Sequence, residues 1–371
     1  MVKKVGLLTF HNAYNFGAVL QAFALQRTIQ SMGYSCSIID YARPLQGSGY
    51  QLFVFPKKIG HMIYDLRVLS NLRSHFTLRK RFATFSGQHL TLTPRSYRSA
   101  RDLRRDYPEF EVFVVGSDQV WHPHMLDNET APIFYLDFVA SGRRVAYAPS
   151  FGLSEIPKPC HERAAAFIRG FDFLSAREDS GCRIIHELTG RKADYVLDPT
   201  LLLSAVEYDK VAVGPAKSEP CVLLYPMEMS KSLNDLARSI RARLKLPLVA
   251  VVPIYFNPRK FRFADQVVFD AGPAEFLGWM RKAAFVCTNS FHGVAFSVIH
   301  RKTFLCVTHS VANTRIHSLL NRIGLTRRQI TNPSDSLPGD SLFAPMDYSS
   351  IEPCLQNGID ASLDYLKRAL A

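Results

Sequence analysis

Cys287-Thr288-Asn289-Ser290-Phe291-His292-Gly293-Val294-Ala295-Phe296 links two apolar runs through one short polar turn. Ala284–Thr288 reads as a buried strand, and Val294–Ile299 as the start of a helix with few polar residues. Gly293 permits a tight backbone path, and Asn289 or Ser290 is placed to cap the helix. Strand, turn and helix in this order build an open parallel α/β sheet, which collects ligands at the carboxyl ends of its strands. His292 stands at such an end. It reads either as a site histidine or as a satisfied, half-buried ring at a turn.

A second polar turn lies at the amino terminus. Lys4–Phe10 reads as a buried strand, Gly17–Met32 as an amphipathic helix ended by Gly33, and Ser35–Tyr41 as the next strand. Between strand and helix runs Thr9-Phe10-His11-Asn12-Ala13-Tyr14-Asn15-Phe16. It lacks both GxGxxG and GxxxxGK[ST], which argues against a dinucleotide or triphosphate cradle of those types. The start of the helix can still hold a phosphate or carboxylate on its backbone N–H groups. Equally, Asn15 reads as a simple cap and His11 as a solvated ring.

The rest of the chain repeats the pattern. Glu111–Gly116, Arg144–Pro149, Phe173–Ala176 and Ala193–Leu197 are short apolar runs with polar exits at Ser117-Asp118-Gln119, Ser150, Arg177 and Asp198. A second series follows Val213–Pro220, with strands expected at Cys221–Pro226, Leu248–Pro253, Gln266–Phe269, Phe285–Thr288 and Thr303–Val307. The fold class is therefore α/β, with two doubly wound, Rossmann-like domains. They are expected at 1–212, with a mostly helical insertion at about 45–105, and at 213–345. Residues 346–371 read as a loop and an amphipathic helix packing back on the first domain.

Six segments in order resemble the polysaccharide pyruvyl transferase family. They are Thr9–His11 with Asn15–Ala22, Val115–Trp121, Tyr147–Gly152, Ser175–Ser180, Asp198-Pro199-Thr200 and Thr288–Gly293. The resemblance covers roughly residues 4 to 325. It implies a glycosyltransferase-B-like architecture, with the two domains facing across a cleft. It also implies phosphoenolpyruvate as donor, and a cyclic pyruvate ketal on a sugar of a cell-surface polysaccharide or lipid-linked glycan precursor. Apart from that donor substrate no cofactor is implied.

Such a reaction needs a general acid at the enol carbon, a base for the attacking hydroxyl, and cations for phosphate and carboxylate. His292 aligns with the family's histidine and is the expected acid/base. Arg177 matches the arginine of the family's Ser-x-Arg-Glu segment and reads as a donor clamp, or as the partner of Glu178 or Asp179. Family members often carry an arginine two residues before the histidine, where this chain has Ser290. Donor binding then falls to Ser290, Gly293 and the following N–H groups, and to Lys302, Arg315 or His317. His11, Asn15, Gln21, Asp118, Gln119, Trp121 and Ser150 are the expected acceptor wall, since amides and carboxylates pair with hydroxyls and an indole stacks on a pyranose. Trp121 also reads as core filling. Asp198 reads as a turn residue before Pro199, structural rather than catalytic. His122-Pro123-His124 has no third ligand at motif spacing, so no metal is expected.

Composition bounds the alternatives. With 371 residues, 47% hydrophobic and 12% aromatic, the chain can bury sizeable cores. Its seven cysteines are scattered without CxxC spacing and read as core thiols in a reducing compartment. The amino-terminal apolar stretch is broken at Thr9 and His11, too short for a signal peptide, and a cytoplasmic protein is expected. Net charge is +13, and ten Lys/Arg but one acid, Asp102, lie between Arg67 and Arg105. That stretch reads as a solvated basic face, as a peripheral contact with an anionic membrane surface or a diphosphate-bearing acceptor, or as a nucleic-acid surface. No nucleic-acid-binding module accompanies it, so no such partner is expected. Two other functional readings stand beside pyruvyl transfer. A glycosyltransferase using a nucleotide-activated sugar would need a ribose-binding carboxylate in the second domain, for which Glu275 is the nearest candidate. A non-enzymatic glycan-binding partner would not need Arg177, Lys302 and Arg315 to cluster.

Overall fold

The computed structural model describes residues 2–41, 65, 68–126, 131–215, 219–308, 314–331 and 340–371. Its first sheet comprises β1 (Lys4–Leu8), β2 (Ser35–Tyr41), β3 (Leu92–Tyr97), β4 (Val112–Val115), β5 (Arg143–Ala146), β6 (Phe173–Ala176) and β7 (Asp194–Tyr195). Their order is β3-β2-β1-β4-β5-β6-β7, with every pairing parallel. The second contains β8 (Cys221–Tyr225), β9 (Leu248–Val251), β10 (Gln266–Val268), β11 (Ala283–Thr288), β12 (Thr303–Val307) and β13 (Gln329–Ile330). It is also parallel, in the order β10-β9-β8-β11-β12-β13. The central strands β4, β8 and β12 are buried at every residue. Helices cover both faces of such strands, which explains their unbroken apolar sequence.

Both sheets have the doubly wound order, so each has a switch point where the winding reverses: between β1 and β4, and between β8 and β11. The carboxyl ends of those four strands carry the loops described below.

One expectation is corrected. The helix Phe16–Ser31 is not amphipathic, because thirteen of its sixteen residues are buried. It lies between the first sheet and the second domain, and Phe16 stacks on Phe276 (4.8 Å) and packs against Tyr225 (5.8 Å). One apolar cluster accordingly runs through both halves of the protein, from Val5 to Leu223 and Phe296. Within the expected helical stretch 45–105, residues 45–64, 66 and 67 lie outside the described residues. The described remainder holds the helices Leu72–His89 and Ala100–Arg105, but also β3 between them. Pro94 and the exposed middle of β3 suit an edge strand, a position where a missing N–H is tolerated.

The carboxyl-terminal helix Glu352–Leu370 returns to the first sheet. Tyr365 donates to the Ala146 carbonyl (2.8 Å), Arg143 donates to the Ala369 carbonyl (3.1 Å), and the Leu197 N–H donates to Ser362 (2.9 Å). Among the described residues no helix is long and apolar enough to cross a membrane.

Candidate functional site between the two switch points

A cavity of about 260 Å³ lies between the sheets, lined in part by Phe10, Ala13 and Asn15 after β1 and by Asp118 and Gln119 after β4. From the second sheet come Met227 after β8, and Asn289, Ser290, Phe291 and His292 after β11, with Arg315 from the helix Thr314–Arg322. Both switch points thus open onto one space.

The turn after β11 is fixed by its own polar groups. Thr288 donates to the Tyr225 carbonyl (2.7 Å) and accepts from the Ser290 N–H (3.0 Å). Asn289 bridges to the loop after β8, accepting from the Met227 N–H (2.7 Å) and donating to the Glu228 carbonyl (3.0 Å). Ser290 caps the helix Phe291–Ile299 by accepting from the Gly293 N–H (3.3 Å). A Cβ at Gly293 would overlap the Thr288 side chain, so glycine lets the helix start this close to the strand.

Beside this turn sits a buried charge cluster from the first sheet. Arg177, after β6, donates from Nη1 to Asp198 Oδ2 at 2.7 Å and is 3% exposed. Asp198, 1% exposed, also accepts from Ser117 (2.8 Å), the Thr200 N–H (3.0 Å) and the Thr200 hydroxyl (2.7 Å). Asp118 Oδ1 lies 3.6 Å from Arg177 Nη2, on a residue held at φ 75°. A non-glycine residue in the left-handed region is strained, and such strain gathers at functional sites. Across the domain boundary the Arg177 guanidinium stacks on the Phe291 ring, 4.5 Å from its centroid.

His292 closes the cluster. Its Nε2 is 3.8 Å from Asp198 Oδ2 and has no hydrogen-bond partner among the described residues. The ring lies against the backbone of Gly17, where any Cβ would overlap it. Alanine is normally about 1 kcal/mol better than glycine within a helix. Here Gly17→Ala is expected to lower stability by about 1–3 kcal/mol through overpacking, as urea unfolding would show.

Burial pushes the His292 imidazole below its ordinary value, against the pull of Asp198 and Asp118, so the ring is neutral near pH 7. Burial would raise Asp198, but His292 and Arg177, with hydrogen bonds from Thr200 and Arg177, bring it down to about 2. The share owed to His292 exists only when that ring is protonated. Burial acts against the Arg177 cation as well, yet Asp198, Asp118 and Glu178 outweigh it and raise its value. Half-buried Arg315 is pushed down by burial and by Arg177, and its Nε lacks a partner among the described residues. A cation so placed favours an incoming anion.

Several expected site residues stand elsewhere. Lys302 lies ahead of β12, at the amino ends of the strands, and donates to the Arg281 carbonyl (2.7 Å). The helix Phe291–Ile299 carries the chain there, away from the cavity. His317 is exposed beside Gln329. Trp121 is fully buried, donates to the Phe134 carbonyl (3.0 Å) and stacks on Tyr135 (5.1 Å), so it fills the core and offers no sugar platform. Ser150 is buried on Glu178 (2.8 Å), and Gln21 is buried with its amide on Thr9 (2.8 Å). His11 pairs with Asp40 (3.0 Å) and with the Thr9 carbonyl. Asn15 caps its helix through the Ala18 N–H (3.2 Å) and also lines the cavity. Among the described residues no group of three or more His, Cys, Asp or Glu is placed to hold a metal ion. Asp198 makes the cap expected of its Asp-Pro-Thr context, and it also anchors Arg177, a contact that sequence reading did not foresee.

Two parallel, Rossmann-like domains with a cleft between their switch points make this an α/β protein of the glycosyltransferase-B-like class. The chain belongs to the polysaccharide pyruvyl transferase family, whose model matches residues 15–311. The match takes in Asp118, Arg177, Asp198 and His292, and stops short of Arg315. No curated protein matches the chain. Among solved structures it is similar to the Methanocaldococcus jannaschii UDP-GlcNAc 2-epimerase in complex with UDP-GlcNAc and UDP, at 13% identity and TM-score 0.52, covering 100% of this chain and 99% of that one. It is also similar to an alpha-glucosyltransferase in complex with UDP and a 13-mer DNA, at 9% identity and TM-score 0.50, covering 99% and 95%. At such identities the likeness is one of fold.

Proposed function

We propose that the protein transfers pyruvate from phosphoenolpyruvate to a sugar of a cell-surface glycan precursor, closing a cyclic ketal across two hydroxyls. The observation that carries this reading is the meeting of Arg315, His292 and two helix amino termini at one cavity. Helix amino termini favour anions, and the helices that begin at Phe16 and Phe291 both start there. With Arg315 they suit a small donor bearing phosphate and carboxylate. Arg177 is buried behind Phe291 and acts through Asp198, Asp118 and the ring, as a positioning residue.

An anionic donor beside His292 offsets the cost of charging the ring, so donor binding draws a proton onto it. That proton goes to the methylene carbon of the enol, leaving the neighbouring carbon electron-poor. The first sugar hydroxyl adds to that carbon and returns its proton to the imidazole. The carbon–oxygen bond to phosphate then breaks, and the second hydroxyl adds, giving its proton to the departing phosphate. Asp118 and Gln119 orient the hydroxyls from the opposite wall.

A nucleotide-sugar donor finds less support. Glu275 is occupied by the Gly272 N–H (3.0 Å) and by Arg81 (3.1 Å). Among the described residues the carboxylate lining the cavity, Asp118, comes from the first sheet. Arg315→Gln should raise KM for phosphoenolpyruvate about 10- to 100-fold, the usual worth of a hydrogen bond to a charged group. Phosphate release measured against donor concentration tests this. An unchanged KM would remove Arg315 from the donor site.

A further inference from the structure

The helix Leu72–His89 continues a described turn at 68–70, and its buried face seats Leu78, Phe82 and Phe85. Its opposite face exposes Arg73, Phe76 and Lys80 at i, i+3 and i+7, and Leu69 is exposed in the turn that precedes the cap Asn71. Leu69 is 53% and Phe76 55% exposed, both among the few large apolar side chains left open to solvent. No ion pair of Arg73 or Lys80 is found among the described residues, and the sequence from Leu66 to Arg101 contains no Asp or Glu. An apolar pair interleaved with cations suits a surface that is oily and anionic together.

This helix also touches the cavity wall. Tyr14 packs edge-on to Phe82 (5.5 Å), and Arg79 donates to the Tyr14 hydroxyl (2.9 Å). Tyr14 lies between Ala13 and Asn15, which line the cavity. The exposed face is thus about one helix diameter, ~10 Å, from the loop at the site.

We infer that the Leu69–Arg73–Phe76–Lys80 face docks on an anionic lipid bilayer and holds the cavity mouth close to its surface. That geometry suits an acceptor glycan carried on a lipid. The lipid-linked acceptor rests on the function proposed above, whereas docking does not. Charge complementarity favours lipid as the occupant over a second copy of this chain, whose own face would present the same cations.

The test is co-sedimentation of the full chain with vesicles of phosphatidylcholine alone or mixed with phosphatidylglycerol, at low and high salt. Binding is expected only to the anionic vesicles, weakening with salt. Replacing all four residues (Leu69→Ser, Arg73→Gln, Phe76→Ser, Lys80→Gln) should weaken it at least about 30-fold, with two cations alone giving that much. Phosphate release on a water-soluble acceptor should stay unchanged in this variant. No binding to anionic vesicles, or equal binding by the variant, would overturn the inference. So would a concentration-dependent dimer or nucleic-acid binding that the four substitutions abolish while vesicle binding persists. Vesicle binding without any pyruvyl transfer would leave docking standing and remove the proposed activity instead.

Discussion

Arg177→Met should lower the unfolding free energy by about 3–5 kcal/mol, the cost of stranding one partner of a buried ion pair. Asp198 would keep its bonds from Ser117 and Thr200 but lose the cation at 2.7 Å, and Asp118 would lose its neighbour at 3.6 Å. The pH dependence carries the signature. In the wild type the Asp198 value is lowered to about 2, so the folded state resists protonation there. Its contribution is present above the ordinary carboxylate range and is lost as pH falls from about 4 towards about 2. Without Arg177, burial dominates and the folded Asp198 value rises, so the variant gains on the wild type as pH falls. Urea unfolding near pH 7 and near pH 4 reads both effects. Arg177→Met with Asp198→Asn should recover part of the loss, because the Asp198 charge is then no longer buried without its cation. A single variant within about 1 kcal/mol of wild type would contradict the buried-pair account.

His292→Gln should behave oppositely. Turnover is expected to drop about 10²- to 10⁴-fold, the range for losing a general acid–base group, while the fold persists. Glutamine keeps a flat polar group against Gly17, and no hydrogen bond to His292 Nε2 is lost among the described residues. Stability again has a sign. Because burial lowers the His292 value, the unfolded chain takes up that proton first as pH falls below about 6.5. The wild type therefore pays a penalty below that pH which glutamine escapes, and the variant's relative stability should rise there. Turnover within about threefold of wild type would place the acid–base group elsewhere.

The contrast between these two residues shows what was legible in the sequence. Strands buried on both faces, such as Val112–Val115 and Cys221–Tyr225, announced themselves as apolar runs with polar exits. Of the four edge strands among the described residues, Asp194–Tyr195 and Gln266–Val268 were also read, but two were not. Leu92–Tyr97 carries Pro94 and three consecutive exposed residues, and Gln329–Ile330 is only two residues long. Helix burial was also hidden, since the second domain covers the face of Phe16–Ser31 that local periodicity assigned to water.

At the site, residue type was readable and placement was not. Arg177, Asp198 and His292 are far apart in sequence and meet only because two sheets present their switch points to each other. Asp198 looked like a turn residue and is one, while also anchoring a buried cation. Lys302 is ten residues after His292, yet the nine-residue helix that begins at Phe291 spans about 13 Å and delivers it to the far end of the sheet. Ser290, which stands where family members often carry arginine, spends its side chain on the helix cap, and among the described residues Arg315 is the cation that lines the cavity, with Arg177 behind Phe291.

Thermal unfolding of wild type and Arg315→Gln with phosphoenolpyruvate, and separately with nucleotide sugars, distinguishes the two donors. Arg315 is the better probe because replacing Arg177 disturbs the buried pair itself. A ligand that binds only the folded state raises Tm. A rise with phosphoenolpyruvate that shrinks in Arg315→Gln is expected. A rise with a nucleotide sugar and none with phosphoenolpyruvate would contradict it.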